Sequence, residues 1–451
     1  MGRLSDRVAA PRARQGGHPA GDIHNDPNVS PDLQWLATVL WGGRPGVVVS
    51  RSPEPPPGRR AAGTYIVLPN LRRPRLLVRA GPRRAARRAL ASYNGLRPPA
   101  TRLARALLGA GLGMGLPDRL FRDRLTVWLP EGFSAEELPS LLLSEHVRQV
   151  LGRDDQVMEV IGLRPRGPYT KPVLQLFGGQ GDPLAYVKVG WNEVTSQLVR
   201  NEATFLHQHR DHHFPNLRIP RLIHHGRWHD LDIAIALPLP TGMRRYRPPT
   251  RVPPLEIMRE IAESSGLLES PFATSTYWRR TRRTISRLLA DGPARDADIV
   301  TGFVRRIEEH YGDAAMLFGR WHGDWAPWNL AWLDRTLVAW DWEHTAEDVP
   351  LGFDAVNFLF QSHFAWKQES LAASTAACRH GSRIALRALG VRPALQPLVL
   401  SAYLLEMYIR YSRARLGGAG VNERFYPAIL NLFTSDLSTG RRRGEGRFNG
   451  P

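Results

Sequence analysis

The chain has 451 residues, 42% of them hydrophobic, and a formal net charge of +19, which makes it too long for one ordinary core and apolar enough for two or three packed domains. No window approaches eighteen uninterrupted apolar residues, which excludes a membrane span; the longest candidate, 103–116, is broken by Arg105 and rich in glycine. The single cysteine, Cys378, excludes a disulfide framework and a cysteine-based zinc site, and is expected of a reducing, cytoplasmic location.

The positive charge belongs mostly to the ends: +11 over 1–145, +5 over 146–440 and +3 over 441–451. It is written almost wholly as arginine, because lysine occurs only at Lys171, Lys188 and Lys367. A retained lysine in such a chain hints that a compact ammonium is wanted there.

Residues 1–30 carry charge, Pro and Gly without an apolar signal-peptide core, and are expected to be a disordered basic tail; 441–451 is expected to be another. Between 31 and 145 the chain reads as a small α+β module. Its strand-like runs TYIVLPN and RPRLLVRAG precede PRRAARRALASYNG, a short helix with Arg83, Arg84, Arg87 and Arg88 on one face. That face is either solvated or meets an anionic partner. SAEELPSLLLSEHVRQVLG then opens with a capping box, Ser134 to Glu137, and predicts a helix. VMEVIG, KPVLQLF and LAYVKVG predict a three-stranded antiparallel meander, and NEVTSQLVRNEATFLHQHRD a helix after it. RLIHHGRW and LDIAIALPLP predict two more strands, the latter running into Pro238, Pro240 and Gly242 as a hinge. Beyond Pro253 the pattern is mainly helical, over 255–267, 277–289, 298–311, 353–364, 370–389 and 398–416, interrupted by NLAWL and TLVAWDW as a hairpin around Asp334-Arg335. The order predicts two lobes, 146–240 and 241–440, with the 31–145 module in front.

The stretch WHGDWAPWNLAWLDRTLVAWDWEH, 321–344, holds six of the thirteen tryptophans. Asp324 and Asn329 stand five apart in a loop stiffened by Pro327, and Asp341 follows twelve further on, at the end of a predicted strand. The hairpin returns the chain, so Asn329 and Asp341 are expected to face one site. Phosphoryl transfer needs a carboxylate to orient the attacking hydroxyl and hard oxygen ligands for Mg²⁺, and these residue types supply that set. Zinc is not favoured, because His322 has no partner at H-x-x-x-H spacing. The tryptophans read mostly as core, with Trp325 and Trp328 bordering an acceptor.

HGDWAPWN followed by WDWE resembles the catalytic and metal-binding segments of the aminoglycoside phosphotransferase and choline kinase-like family, relatives of the protein kinases. The resemblance implies a bilobal protein kinase-like α+β fold, with an antiparallel sheet in the amino-terminal lobe and a mainly helical carboxyl-terminal lobe. It implies Asp324 as catalytic base, His322 as organiser of the loop, and Asn329 and Asp341 as Mg²⁺ ligands, with Glu343 at the acidic position after the metal Asp. It also places Lys188 on the nucleotide phosphates, Glu202 as its partner, and Asp354 as a brace of the catalytic loop. Where a glycine-rich flap belongs, LRPRGPYT offers only Gly162 and Gly167, which departs from G-x-G-x-x-G; no G-x-x-x-x-G-K-[ST] is present. The expected activity is ATP- or GTP-dependent, Mg²⁺-assisted transfer of phosphate to a hydroxyl of a small molecule. The alternative is a nucleotide-binding pseudo-kinase whose basic amino-terminal module binds nucleic acid or another polyanion.

Overall fold

The computed structural model describes residues 22–24, 26–93, 99–113, 122–246, 254–292, 294–416 and 425–440. Of the two expected tails, 1–21 and 441–451 lie outside the described residues. Residues 22–24 and 26–30, by contrast, pack: Ile23 is buried, its N–H donates to the Val49 carbonyl at 3.3 Å, and Ser30 caps the helix Pro31–Leu40. The protein is α+β and divides into two compact units. Among the described residues no helix is long and apolar enough to cross a membrane.

The first unit comprises Met1–Arg166, Thr170–Trp191 and Gly226–Pro238. Its sheet runs in the order Val48–Ser50, Arg124–Pro130, Arg59–Leu68, Leu76–Arg79, Met158–Gly162, Val173–Phe177, Pro183–Gly190 and Leu231–Ala236, then Leu222–Trp228, a strand that straddles the unit boundary. The predicted meander is present and antiparallel. The boundary drawn at 145/146 does not break the sheet, because Leu76, Leu77 and Val78 pair with Gly162, Ile161 and Val160. Backbone pairing between strands far apart in sequence leaves no local signal, which is why the module and the meander read as separate. The helix Arg83–Ser92 buries Ala85, Ala86, Ala89 and Leu90 against Ile66, Val78, Val160 and Phe177, while its four arginines stay exposed. Only half of the expected Ser134–Glu137 box forms: the Ser134 N–H donates to Glu137 Oε2 at 2.9 Å, but the Glu137 N–H goes to the Ser134 backbone carbonyl at 3.3 Å and not to its hydroxyl. It opens a turn rather than one long helix, since Leu142 is extended (φ −124°, ψ 122°) and separates Leu138–Leu141 from Leu143–Val150.

The second unit comprises Gly167–Tyr169, Asn192–His225 and Leu239–Pro451. The helix Glu193–Gln208 starts at a reciprocal capping box, Asn192 with Thr195. Helices Leu255–Glu263, Thr276–Ala290, Ala294–Tyr311, Phe353–Gln361, Leu371–Ala388 and Gln396–Leu416 follow the predicted spans closely, and Phe425–Gly440 adds one that the periodicity did not reveal. The carboxyl-terminal part is less purely helical than its sequence implies. A three-stranded sheet of Leu268–Pro271, Ala315–Trp321 and Ala346–Pro350 lies within it. The predicted hairpin is present, with Leu330–Leu333 against Thr336–Ala339 and Leu333 opposite Thr336. It belongs to a second small sheet with Arg244–Arg245 and Leu217–Arg218.

Candidate active site

The loop that carries Asp324 leaves the strand Ala315–Trp321, and its first two residues are held from outside. Asp354, near the start of the helix Phe353–Gln361, accepts the His322 backbone N–H at 2.7 Å on one carboxylate oxygen and the Gly323 N–H at 3.2 Å on the other. The buried His322 ring accepts the Asp324 N–H at Nδ1 (3.1 Å), so Nε2 carries the proton that meets the Trp340 carbonyl at 3.1 Å. This neutral tautomer ties the Asp324 loop to the residue before Asp341. Gly323 has φ +86°, and a Cβ there would overlap the His344 carbonyl. Gly323→Ala is therefore expected to cost roughly 2–4 kcal/mol, from left-handed backbone plus overlap. A denaturant midpoint equal to that of the parent would show that the loop is free to move aside.

Asn329 ends the turn Pro327–Asn329 and is buried; its amide nitrogen donates to the Asp324 carbonyl at 3.0 Å and to Asp324 Oδ2 at 2.8 Å. Its carbonyl accepts the Trp340 N–H at 3.2 Å. Asp341 lies just past the strand Thr336–Ala339, not at its end, in left-handed backbone (φ 65°, ψ 55°), which stops the ladder and starts the turn Trp342–His344. Two residues of the helix Glu193–Gln208 clamp that turn. Asn201 Nδ2 donates to the carbonyls of Glu343 (2.8 Å) and Thr345 (2.9 Å), and Phe205 stacks on Trp342 at 4.1 Å. The Thr345 hydroxyl donates to the Trp321 carbonyl at 2.7 Å, closing the turn onto the strand Ala315–Trp321.

The helix Gln396–Leu416 adds a cation. Arg410 donates to the Gly323 carbonyl at 2.7 Å, lies 4.8 Å over the Trp321 ring and meets Glu406 at 3.3 Å. Burial pushes the Asp324 carboxyl up to about 6; Arg410 opposes this, the Asp341 and Glu343 carboxylates add to it, and the Asn329 hydrogen bond opposes it again. Burial likewise raises Asp354 to about 7, against the two backbone N–H groups and Arg410.

His322, Asp324, Asn329, Asp341 and Glu343 are thus neighbours around one loop and one turn. The other expected residues are placed separately. Lys188 is half-buried in the strand Pro183–Gly190, opposite Val173 and Ala234, and belongs to the first unit. Glu202 is buried on the helix Glu193–Gln208 of the second. Gly162 ends a strand with the Tyr93 hydroxyl where a Cβ would stand, and Gly167 lies in the loop that follows. Trp325 does not border an acceptor: it is 0% exposed and packs edge-on to His322, whereas Trp328 is half-buried. Trp321 and Trp342 are also core.

Asn201 and Arg410 were not singled out by the sequence. Asparagine in a helix interior is a poor former, and that mismatch was the one available signal for Asn201. Arg410 is one of many arginines and had none.

Among the described residues no three His, Cys, Asp or Glu side chains converge to hold a metal ion by themselves. The donor set of one amide oxygen and one carboxylate suits Mg²⁺, which keeps waters and takes substrate phosphates as ligands. With its nitrogen turned to Asp324, Asn329 presents Oδ1 away from that carboxylate.

No family model and no curated protein matches the chain. Solved structures that resemble it include the apo form of a thermostable mutant of aminoglycoside phosphotransferase APH(4)-Ia, at 15% identity over 67% of this chain and 100% of that one, with a TM-score of 0.45. The GDP complex of an aminoglycoside 2'-phosphotransferase-IIIa mutant is 13% identical over 62% of this chain and 91% of that one, with a TM-score of 0.39. A choline/ethanolamine kinase family protein from Mesorhizobium loti is 14% identical over 60% of this chain and 84% of that one, with a TM-score of 0.38.

Proposed function

We propose that the protein is a nucleotide-dependent O-phosphotransferase acting on a hydroxyl of a small molecule. The observation that carries this reading is the Asp324–Asn329 hydrogen bond, formed beside Asp341 and Glu343 and braced by Asp354. Asn329 occupies Asp324 Oδ2, so Oδ1 is the atom that accepts the proton of an acceptor hydroxyl as its oxygen attacks the terminal phosphorus of ATP or GTP, whose bond to the bridging oxygen breaks to release the nucleoside diphosphate. Asn329 Oδ1 and the Asp341 carboxylate would hold Mg²⁺, with Glu343 supporting from the same turn. When bound, Mg²⁺ supplies neutralisation of charge on the phosphate oxygens. His322 keeps the loop and the turn in register through its two ring hydrogen bonds. Lys188 binds the nucleotide phosphates as a point charge.

The test is thermal. With Mg²⁺ and nucleotide at a hundred times its Kd, stability rises by about 2.7 kcal/mol. The melting temperature is expected to rise with ATP or GTP, to fall back on chelation of Mg²⁺, and to respond only at about tenfold higher nucleotide in Lys188→Ala, the loss of one charge-assisted contact. If neither nucleotide moves the melting temperature, the proposal fails.

A further inference from the structure

We propose that the first unit carries a binding site of its own, for a phosphate monoester of a small hydroxylated molecule, in the cavity beside the loop 69–75. The proposal does not draw on the phosphotransferase reading above. The cavity has a volume of about 640 Å³, within the roughly 300–1,000 Å³ typical of small-molecule sites. Three guanidinium groups line it, those of Arg51, Arg72 and Arg73, against one carboxylate, that of Asp123. Asn28 and Asn70 complete the polar lining, and all of these residues lie in the first unit.

The site is assembled from stretches of chain that are far apart in sequence. The loop 69–75 joins the strands Arg59–Leu68 and Leu76–Arg79 and is closed at its base by the Arg75 N–H on the Leu68 carbonyl at 2.6 Å. Asn70 Oδ1 accepts the backbone N–H groups of Arg72 (3.1 Å) and Arg73 (2.9 Å), which fixes the backbone that carries both arginines. The buried Leu71 anchors the loop: its N–H donates to Asp123 Oδ2 at 2.8 Å, and its carbonyl accepts the Ser30 N–H at 2.9 Å. The Arg72 guanidinium donates to Asn28 Oδ1 at 2.9 Å, the Asn28 N–H donates to Asp26 Oδ1 at 2.8 Å, and Arg51 meets Asp26 Oδ2 at 2.9 Å. Arg51 and Arg72 are thus held in one run of polar contacts. Among the described residues, Arg51 alone of the three has a carboxylate partner, whereas Arg73 is exposed and its side chain makes no ion pair or hydrogen bond. Guanidinium groups gathered on one cavity repel one another, and an anion between them relieves the repulsion. A phosphate monoester brings a charge of about −1.5 to −2 and three acceptor oxygens, which suits the forks of Arg72 and Arg73 better than a single carboxylate does. Asp123 keeps Oδ1 as an acceptor for a ligand hydroxyl, and its charge opposes a run of phosphates such as a nucleic-acid backbone.

The experiment is titration calorimetry on the full chain at fixed low salt. Ribose 5-phosphate and glycerol 3-phosphate are the probes; ribose, gluconate and a single-stranded oligonucleotide are the comparisons, and each titration is repeated in saturating Mg²⁺ and ATP. At least one phosphate ester is expected to bind saturably, about tenfold or more tighter than ribose or gluconate, with or without ATP. Arg73→Ala is expected to weaken that binding about tenfold and Arg73→Lys to recover part of the loss. The melting temperature of unliganded Arg73→Ala should match that of the parent, because no hydrogen bond or ion pair is lost. Phosphatidylcholine vesicles with and without phosphatidic acid separate the sources of the ester: sedimentation that needs both phosphatidic acid and Arg73 assigns it to a lipid headgroup, and its absence to a soluble molecule. Gluconate binding as tightly as the esters, an oligonucleotide binding more tightly, or ester binding that ATP abolishes and Arg73→Ala leaves intact overturns the proposal. So does the absence of binding by either ester. None of these outcomes bears on the nucleotide-induced rise in melting temperature, which tests the phosphotransferase reading separately.

Discussion

Asp324→Asn is expected to lower acceptor-dependent diphosphate release by about a hundredfold or more, the range attributed to a positioned general base, while the nucleotide still raises the melting temperature. The substitution keeps the size of the side chain and the loop's backbone bonds, including the Asp324 N–H to His322 and the Asp324 carbonyl to Asn329. It removes the atom that takes the proton and turns an amide toward the Asn329 donor. Because the loop is held by Asp354, His322 and Arg410, a collapse of the fold is not expected. Circular dichroism and a melt on the same sample separate lost chemistry from lost structure. A kcat within tenfold of the parent would mean that Asp324 is not the base.

Asp354→Ala is expected to be the most damaging single change outside the reacting groups. It strands the buried His322 and Gly323 N–H groups, each at a cost of roughly 1–3 kcal/mol, and releases the loop that presents Asp324. Both stability and kcat fall together, whereas Asp324→Asn separates them. The charge state of Asp354 adds a pH signature. Its folded value, about 7, lies above the ordinary 3.8, so between those limits the native state binds the proton more tightly than the unfolded chain does. The native protein therefore loses stability relative to the unfolded one as pH rises from 4 to 7, by a few kcal/mol at most, on the order of the shift converted at 1.36 kcal/mol per unit. Asp354→Asn removes that dependence: its melting temperature relative to the parent should be lower at pH 5 and recover toward pH 8. A difference that stays constant across this range would show that Asp354 keeps an ordinary carboxyl.

Much of the fold is written locally. The short apolar runs at 158–162, 173–177 and 183–190 became neighbouring strands, the first two buried at four consecutive positions and the third alternating, and the helices after 254 follow the 3.6-residue spacing of their apolar positions. The strands Ala315–Trp321 and Ala346–Pro350 escaped detection because each pairs with partners distant in sequence; Phe318, for instance, pairs with Pro350. Trp325 was misjudged for a related reason: a loop position reads as exposed until the surrounding helices close over it.

The sequence by itself determined which chemical groups exist and how far apart they lie along the chain: one Asp, an Asn five later, and an Asp-x-Glu twelve beyond that, on either side of a hairpin with a two-residue turn. Tertiary structure decided everything that depends on groups meeting across long separations. Arg410 reaches Gly323 across 87 residues, Asn201 reaches Glu343 across 142, and Asp354 grips two N–H groups that lie 32 and 31 residues before it. Spacing encodes local geometry because the backbone has few soft torsions per residue. No comparable rule links an arginine on a late helix to a carbonyl in an early loop, and that contact exists only because burial of the helices' apolar faces brings the two together.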